Sequence, residues 1–112
     1  MGLSAVPLVQ GQQLPNSVAT QYTCPANSQT IIRHAVFTNT TSGAITVTAY
    51  VVPQGGSAGD ATTVISALSI AAHTAYVSPE LSGCVLAAGD TLQCFASAGT
   101  SVSLNVSGIS QT

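Results

Sequence analysis

Gln29–Val52 reads QTIIRHAVFTNTTSGAITVTAYVV, and its two apolar runs decide the fold class. In the second run Ile45, Val47, Ala49 and Val51 alternate with Thr46, Thr48 and Tyr50, the period-two pattern of a strand with one buried and one wet face. The first run is equally rich in β-branched and aromatic residues but less clean. Ile31, Arg33, Ala35 and Phe37 fall on one side, and Ile32, His34 and Val36 on the other. Between the runs, TNTTSG (Thr38–Gly43) carries the Asn, Ser and Gly chemistry of a tight turn. The expected arrangement is a β-hairpin.

The same period continues outward in both directions. TTVISALSI (Thr62–Ile70), AYVSP (Ala75–Pro79), TLQCFAS (Thr91–Ser97) and TSVSLNVSGI (Thr100–Ile109) read as strands, and ATQYTC (Ala19–Cys24) as a shorter one. In the last long run Val102, Leu104 and Val106 face inward against Ser101, Ser103 and Asn105. A proline-initiated single helical turn is expected at Pro79–Leu81, and no longer window carries a helical stripe. About seven to eight short antiparallel strands, with turn signals roughly every 8 to 12 residues, define an all-β chain: one small β-sandwich or jelly-roll-like domain. At 112 residues it buries about two thirds of the surface that its unfolded chain exposes, enough for its own core.

Residues 1–18 differ. They hold Pro7, Pro15 and scattered Leu3, Val6, Leu8, Val9 and Leu14, without charge or alternation. An extended N-terminal arm lying on a neighbouring molecule is expected there, with the sandwich spanning 19–112. Together with Tyr50, whose ring sits on the polar side of its strand and suits a half-wet contact, those five apolar residues are the expected interface.

Composition excludes several function classes. Charged residues make up only 4% of the chain, against about 25% in an average soluble domain. There is no lysine, a single arginine (Arg33) and three acids, Asp60, Glu80 and Asp90. Nucleic acid is not an expected partner, since polyanion affinity comes from several cations neutralising phosphates. A membrane is not expected either, because no apolar run approaches the roughly 20 residues of a span. No positively charged, uninterrupted secretory leader opens the sequence, so NTT at Asn39 and NVS at Asn105 are read as chance matches to the glycosylation pattern, and synthesis in a reducing cytoplasm is expected. Cys24, Cys84 and Cys94 have no metal-ligand spacing and are read as small buried apolar side chains, with a Cys84–Cys94 bridge disfavoured.

The glycine loop PQGGSAGD (Pro53–Asp60) holds no phosphate. A P-loop needs a lysine, and a dinucleotide fingerprint needs a following helix, whereas here TTVISALSI follows. Asp60 alone does not build a calcium loop. His34 and His73 lie on separate elements with no further ligands nearby in sequence, and no Gly-x-Ser-x-Gly elbow precedes a helix. No catalytic residue, cofactor or metal is expected, and the chain is read as a non-enzyme. What remains is physical: monomeric β-proteins blunt their sheet edges with charge, and this chain has almost none. Either prolines and bulges protect the edges, or other protein chains cover edges and faces.

NTTSGAITVTAYVVPQGGSAGD, the Pro-Glu-Leu turn at Pro79–Leu81 and Leu-Ala-Ala-Gly-Asp at Leu86–Asp90 resemble small virion proteins of tailed bacteriophages over about Ile31 to Ile109. That resemblance implies a compact β-sandwich made in the bacterial host cytoplasm and carried on the virion. It implies a capsid decoration or cement protein whose partners are the major capsid protein and its own copies, as trimer or dimer. Its alternative is a tail- or fibre-associated adhesion or carbohydrate-binding module, with Tyr50 as the aromatic platform.

Overall fold

A computed structural model describes residues 3–99 and 101–111, the side chain of Leu3 excepted. Among the described residues nine strands follow in order: β1 (Leu3–Gln13), β2 (Ala19–Thr23), β3 (Gln29–Asn39), β4 (Ile45–Val52), β5 (Thr63–Ile70), β6 (Ala75–Val77), β7 (Val85–Leu86), β8 (Thr91–Ala96) and β9 (Val102–Gln111). They form two antiparallel sheets. The first has the order β1-β9-β3-β6, with β7 also on β3, and the second β2-β8-β4-β5. The shortest extent, 20 Å, is that of two layers packed about 10 Å apart with side chains outside. The expected β-sandwich is what forms.

Each sheet turns one row of alternating side chains inward. Ile32, Ala35 and Phe37 of β3 and Leu104 and Val106 of β9 meet Val47 and Ala49 of β4 and Leu92 and Cys94 of β8 in one buried cluster. The ambiguous alternation of the first run has a local cause. Pairing of β3 with β9 shifts between Ile32 and His34, a β-bulge that inserts one residue and flips the register. Ile32 can therefore point inward before Arg33, while Ala35 and Phe37 point inward after it. Opposite the bulge stands Gly108, where a Cβ would collide with the Ile31 carbonyl oxygen and lie 3.1 Å from Leu8 Cδ1.

The expected hairpin is replaced by a crossover. β3 belongs to the first sheet and β4 to the second, so TNTTSG bridges the layers. Asn39 anchors the bridge. Its side chain is fully buried. Nδ2 donates to the carbonyls of Gly43 at 2.8 Å, Ile70 at 3.0 Å and Ala71 at 3.2 Å, while Oδ1 accepts from Thr41 N and Thr41 Oγ1. A tight turn and a layer-crossing arch share the same polar residues, so local chemistry does not choose between them. The true hairpin across a glycine loop is β4–β5, joined through PQGGSAGD and a 3₁₀ turn at Asp60–Thr62. The helical turn expected at Pro79–Leu81 is a plain turn, with Leu81 fully buried.

The expected boundary at residue 18 has no counterpart in the packing. Residues 3–13 are extended, as read, but they pair along β9 of the same chain. Val9 and Leu14 are 5% and 1% exposed and belong to the common core. The apolar residues of this segment look scattered because its register shifts twice, between Pro7 and Val9 and between Val9 and Gln12.

Candidate interaction surface

Two of the three acids, Asp90 and Glu80, serve the turns. Asp90 accepts from Gln54 N and Ala87 N, both at 3.0 Å, tying the PQGGSAGD loop to the loop before β8. Gly89 has φ +87°, which favours glycine, and the Gln54 side chain lies over it, 2.6 Å from where a Cβ would stand. Glu80 accepts from Tyr76 Oη at 2.7 Å and Ser78 Oγ at 3.0 Å. The Tyr76 bond holds the Glu80 carboxyl below its ordinary range, and Glu80 in turn raises the Tyr76 phenol. His34 is exposed on β3, and His73 is exposed in the turn before β6 with φ 53°. No group of three His, Cys, Asp or Glu side chains converges among the described residues. The three cysteines are free, Cys24 and Cys94 buried and Cys84 half-buried; burial pushes the Cys94 thiol up to about 12.

The edge question raised by the scarcity of charge has a structural answer. β1 carries Pro7, which offers no N–H, and two register shifts; β2 is five residues long with one shift; β5 has two shifts and Ala67 at φ 45°. The far edge of β3 is occupied by β6 and β7, three and two residues long. Bulges, proline and short strands replace lysine as edge protection. The faces are left as contact surfaces.

The two outer faces differ in chemistry. Across the first sheet, Ala5 pairs with Ile109, Ile109 with Ile31, and Ile31 with Val85. Directly paired residues share a face, so these four make one apolar row over four strands, with Val85 57% exposed. Five residues further along β3, Val36 pairs with Val77, which is 54% exposed. A shallow groove bordered by Ala5, Pro7, Arg33 and Ile109 runs beside the row. The outer face of the second sheet presents Thr46, Thr48 and Tyr50 of β4 against Gln93 and Phe95 of β8, all half-buried. Tyr50 and Phe95 stack with centroids 6.3 Å apart and planes 20° from parallel.

The six residues expected at an interface do not come together. Val9 and Leu14 lie in this chain's own core, Val6 and Leu8 are half-buried along β1, and Tyr50 is on the opposite sheet. The side chain of Leu3 lies outside the described residues. Sequence reading missed Ile31, Val85 and Ile109. The signal for Ile109 was present, because it continues the outward phase of Ser103, Asn105 and Ser107; that for Ile31 was hidden by the bulge.

No protein-family model matches the chain, and no curated protein matches it significantly. Among solved structures, a chain of infectious bursal disease virus, Gx strain, superposes with a TM-score of 0.58 at 15% identity, covering 97% of this chain and 32% of that one. A chain of the T13 particle of the same icosahedral virus gives 0.52 at 14% identity, over 97% and 30%. This chain therefore spans about a third of the length of those neighbours. At such identity the likeness is one of fold: a β-sandwich that also occurs in a chain of a viral particle.

Proposed function

We propose that this protein is a non-enzymatic structural component of a virion. It acts as a decoration or cement protein of a tailed phage, docking on the major capsid protein and on its own copies through the outer face of the first sheet. The observation that carries the reading is the row Ala5–Ile109–Ile31–Val85. Val85 and Ala5 are exposed and Ile31 and Ile109 half-buried between them, on a chain whose edges are already protected, and contiguous apolar surface open to solvent marks contact sites. The fold likeness to a chain of an icosahedral virus particle and the resemblance to phage virion proteins support the same context. A nearly uncharged surface also gives contacts that salt screens little, which suits a particle passing between media.

Val85→Asp places an unpaired carboxylate in the row at an exposed position, so folding is preserved while docking is lost. Virions assembled with this variant should carry at least tenfold fewer copies than those with the parent protein, at an unchanged melting temperature. Full occupancy would rule out this face as the docking surface. Copy number of the parent protein separates the locations: hundreds per particle mean the head, about six or twelve the tail or neck. Removing residues 1–18 is a poor test, because it also strips β1 from β9 and takes Val9 and Leu14 out of the core.

A further inference from the structure

The outer face of the second sheet has a composition that the docking role leaves unexplained. Its outward positions on the central strands are Thr46, Thr48 and Tyr50 of β4 and Gln93 and Phe95 of β8, with Thr20 of β2 opposite Gln93. Beyond Tyr50 the same side of the strands continues with Thr91 and with Val52, which is 2% exposed, and no charged side chain stands among these positions. Tyr50 and Phe95 are diagonal neighbours stacked with planes 20° from parallel, so they form one continuous aromatic patch between hydroxyl and amide groups. Several of those groups are uncommitted. The Tyr50 hydroxyl bonds to nothing among the described residues, and Gln93 uses only its Nε2, donating to Thr91 Oγ1 at 3.1 Å, so its carbonyl oxygen is free to accept.

We propose that this face binds a neutral polysaccharide, its sugar rings lying on the Tyr50–Phe95 patch and its hydroxyls bonding to Gln93, Thr46, Thr20 and the Tyr50 hydroxyl. Aromatic faces carry negative electrostatic potential and attract the slightly positive C–H bonds on the flat side of a pyranose. The surrounding hydroxyl and amide groups exchange hydrogen bonds with sugar hydroxyls in either sense. Charge decides the class of ligand. Arg33, the chain's single cation, lies on β3 of the first sheet, so an acidic glycan has no counter-ion on this face. A protein partner would find the larger aliphatic contact area on the first sheet, with Val77 and Val85 more than half exposed, against Val18 at 45% just before β2. The two faces thus divide the work, one holding the particle and the other a glycan.

Affinity electrophoresis in native gels tests this. The intact protein is run through gels containing dextran, galactomannan or soluble xylan-free arabinogalactan as neutral probes, and polysialic acid as an acidic one. At least one neutral polymer should retard it, and Tyr50→Ala or Phe95→Ala should weaken the retardation at least tenfold. Gln93→Ala, which keeps both rings, should weaken it severalfold, and Val85→Asp on the first sheet should leave it intact. The proposal is overturned by no retardation in any neutral polymer, by retardation in polysialic acid alone, or by retardation that survives both Tyr50→Ala and Gln93→Ala.

Discussion

Replacing Asn39 with alanine should unfold the layer crossing at a cost that can be worked from its hydrogen bonds. The two protons of Nδ2, shared among the Gly43, Ile70 and Ala71 carbonyls, are removed, and Oδ1 no longer accepts from Thr41 N and Oγ1. The bond to Ile70 is fully buried and the others are partly so. A buried group left without a partner costs about 1–3 kcal/mol, and partly wet groups regain water and cost a fraction of that. Counting the Ile70 carbonyl in full and the rest in part gives about 3 kcal/mol, a large share of the roughly 5–15 kcal/mol that holds a domain of this kind. At about 4 °C per kcal/mol for a domain of this size, melting should fall by roughly 12 °C. Urea unfolding followed by far-ultraviolet circular dichroism measures the loss directly, with an unchanged slope against denaturant if the unfolded state is unaltered. Asn39→Asp keeps the acceptor but sets a carboxylate against three carbonyl oxygens, so it should cost at least as much. A loss below 1 kcal/mol for Asn39→Ala would refute the role given to this side chain.

Other changes probe separate features. Gly108→Ala, with its Cβ against the Ile31 carbonyl and Leu8, should destabilise by about 2–3 kcal/mol through overpacking at the β3 bulge; a denaturation midpoint equal to the parent's would count against that close approach. The Tyr76–Glu80 bond needs an ionised carboxyl and a protonated phenol. Because folding lowers the Glu80 pKa from 4.5 and raises that of Tyr76 from 10.0, its stabilisation holds between those values. It drains away as pH falls through the folded Glu80 pKa and again as pH rises through that of Tyr76. Carboxyl titration by NMR should show Glu80 rising toward its ordinary range in Tyr76→Phe, with Ser78 and a backbone bond still holding it down in part. Under native conditions an aromatic disulfide reagent should modify Cys84 alone, slowly because burial raises its pKa, and all three cysteines only after unfolding; equal native reactivity at Cys94 would contradict its burial.

How much was legible depended on whether the signal was local. Val47 and Ala49 of β4, and Val102, Leu104 and Val106 of β9, point where alternation places them, because side-chain period two is a property of a single strand. The PQGGSAGD loop was legible as a strand connection for the same reason. Strand partners were not. TNTTSG reads as a hairpin turn, and only the burial of Asn39 against Ile70 and Ala71, 31 and 32 residues away, makes it a crossover. Residues 3–13 lack alternation because two bulges break it, so their pairing with β9, about a hundred residues distant, left no pattern to read.

The sequence by itself determined the class of fold, the absence of a charged surface and the chemical unsuitability of the glycine loop for phosphate, since each follows from composition or from neighbours in the chain. Tertiary structure alone decided which sheet each strand joins, that bulges and proline protect the edges, and that an apolar row and an aromatic, hydroxyl-rich patch lie on opposite faces. Those features are built from residues far apart in sequence. Their juxtaposition is set by sheet register, and one inserted residue, as at Arg33, turns a whole strand over.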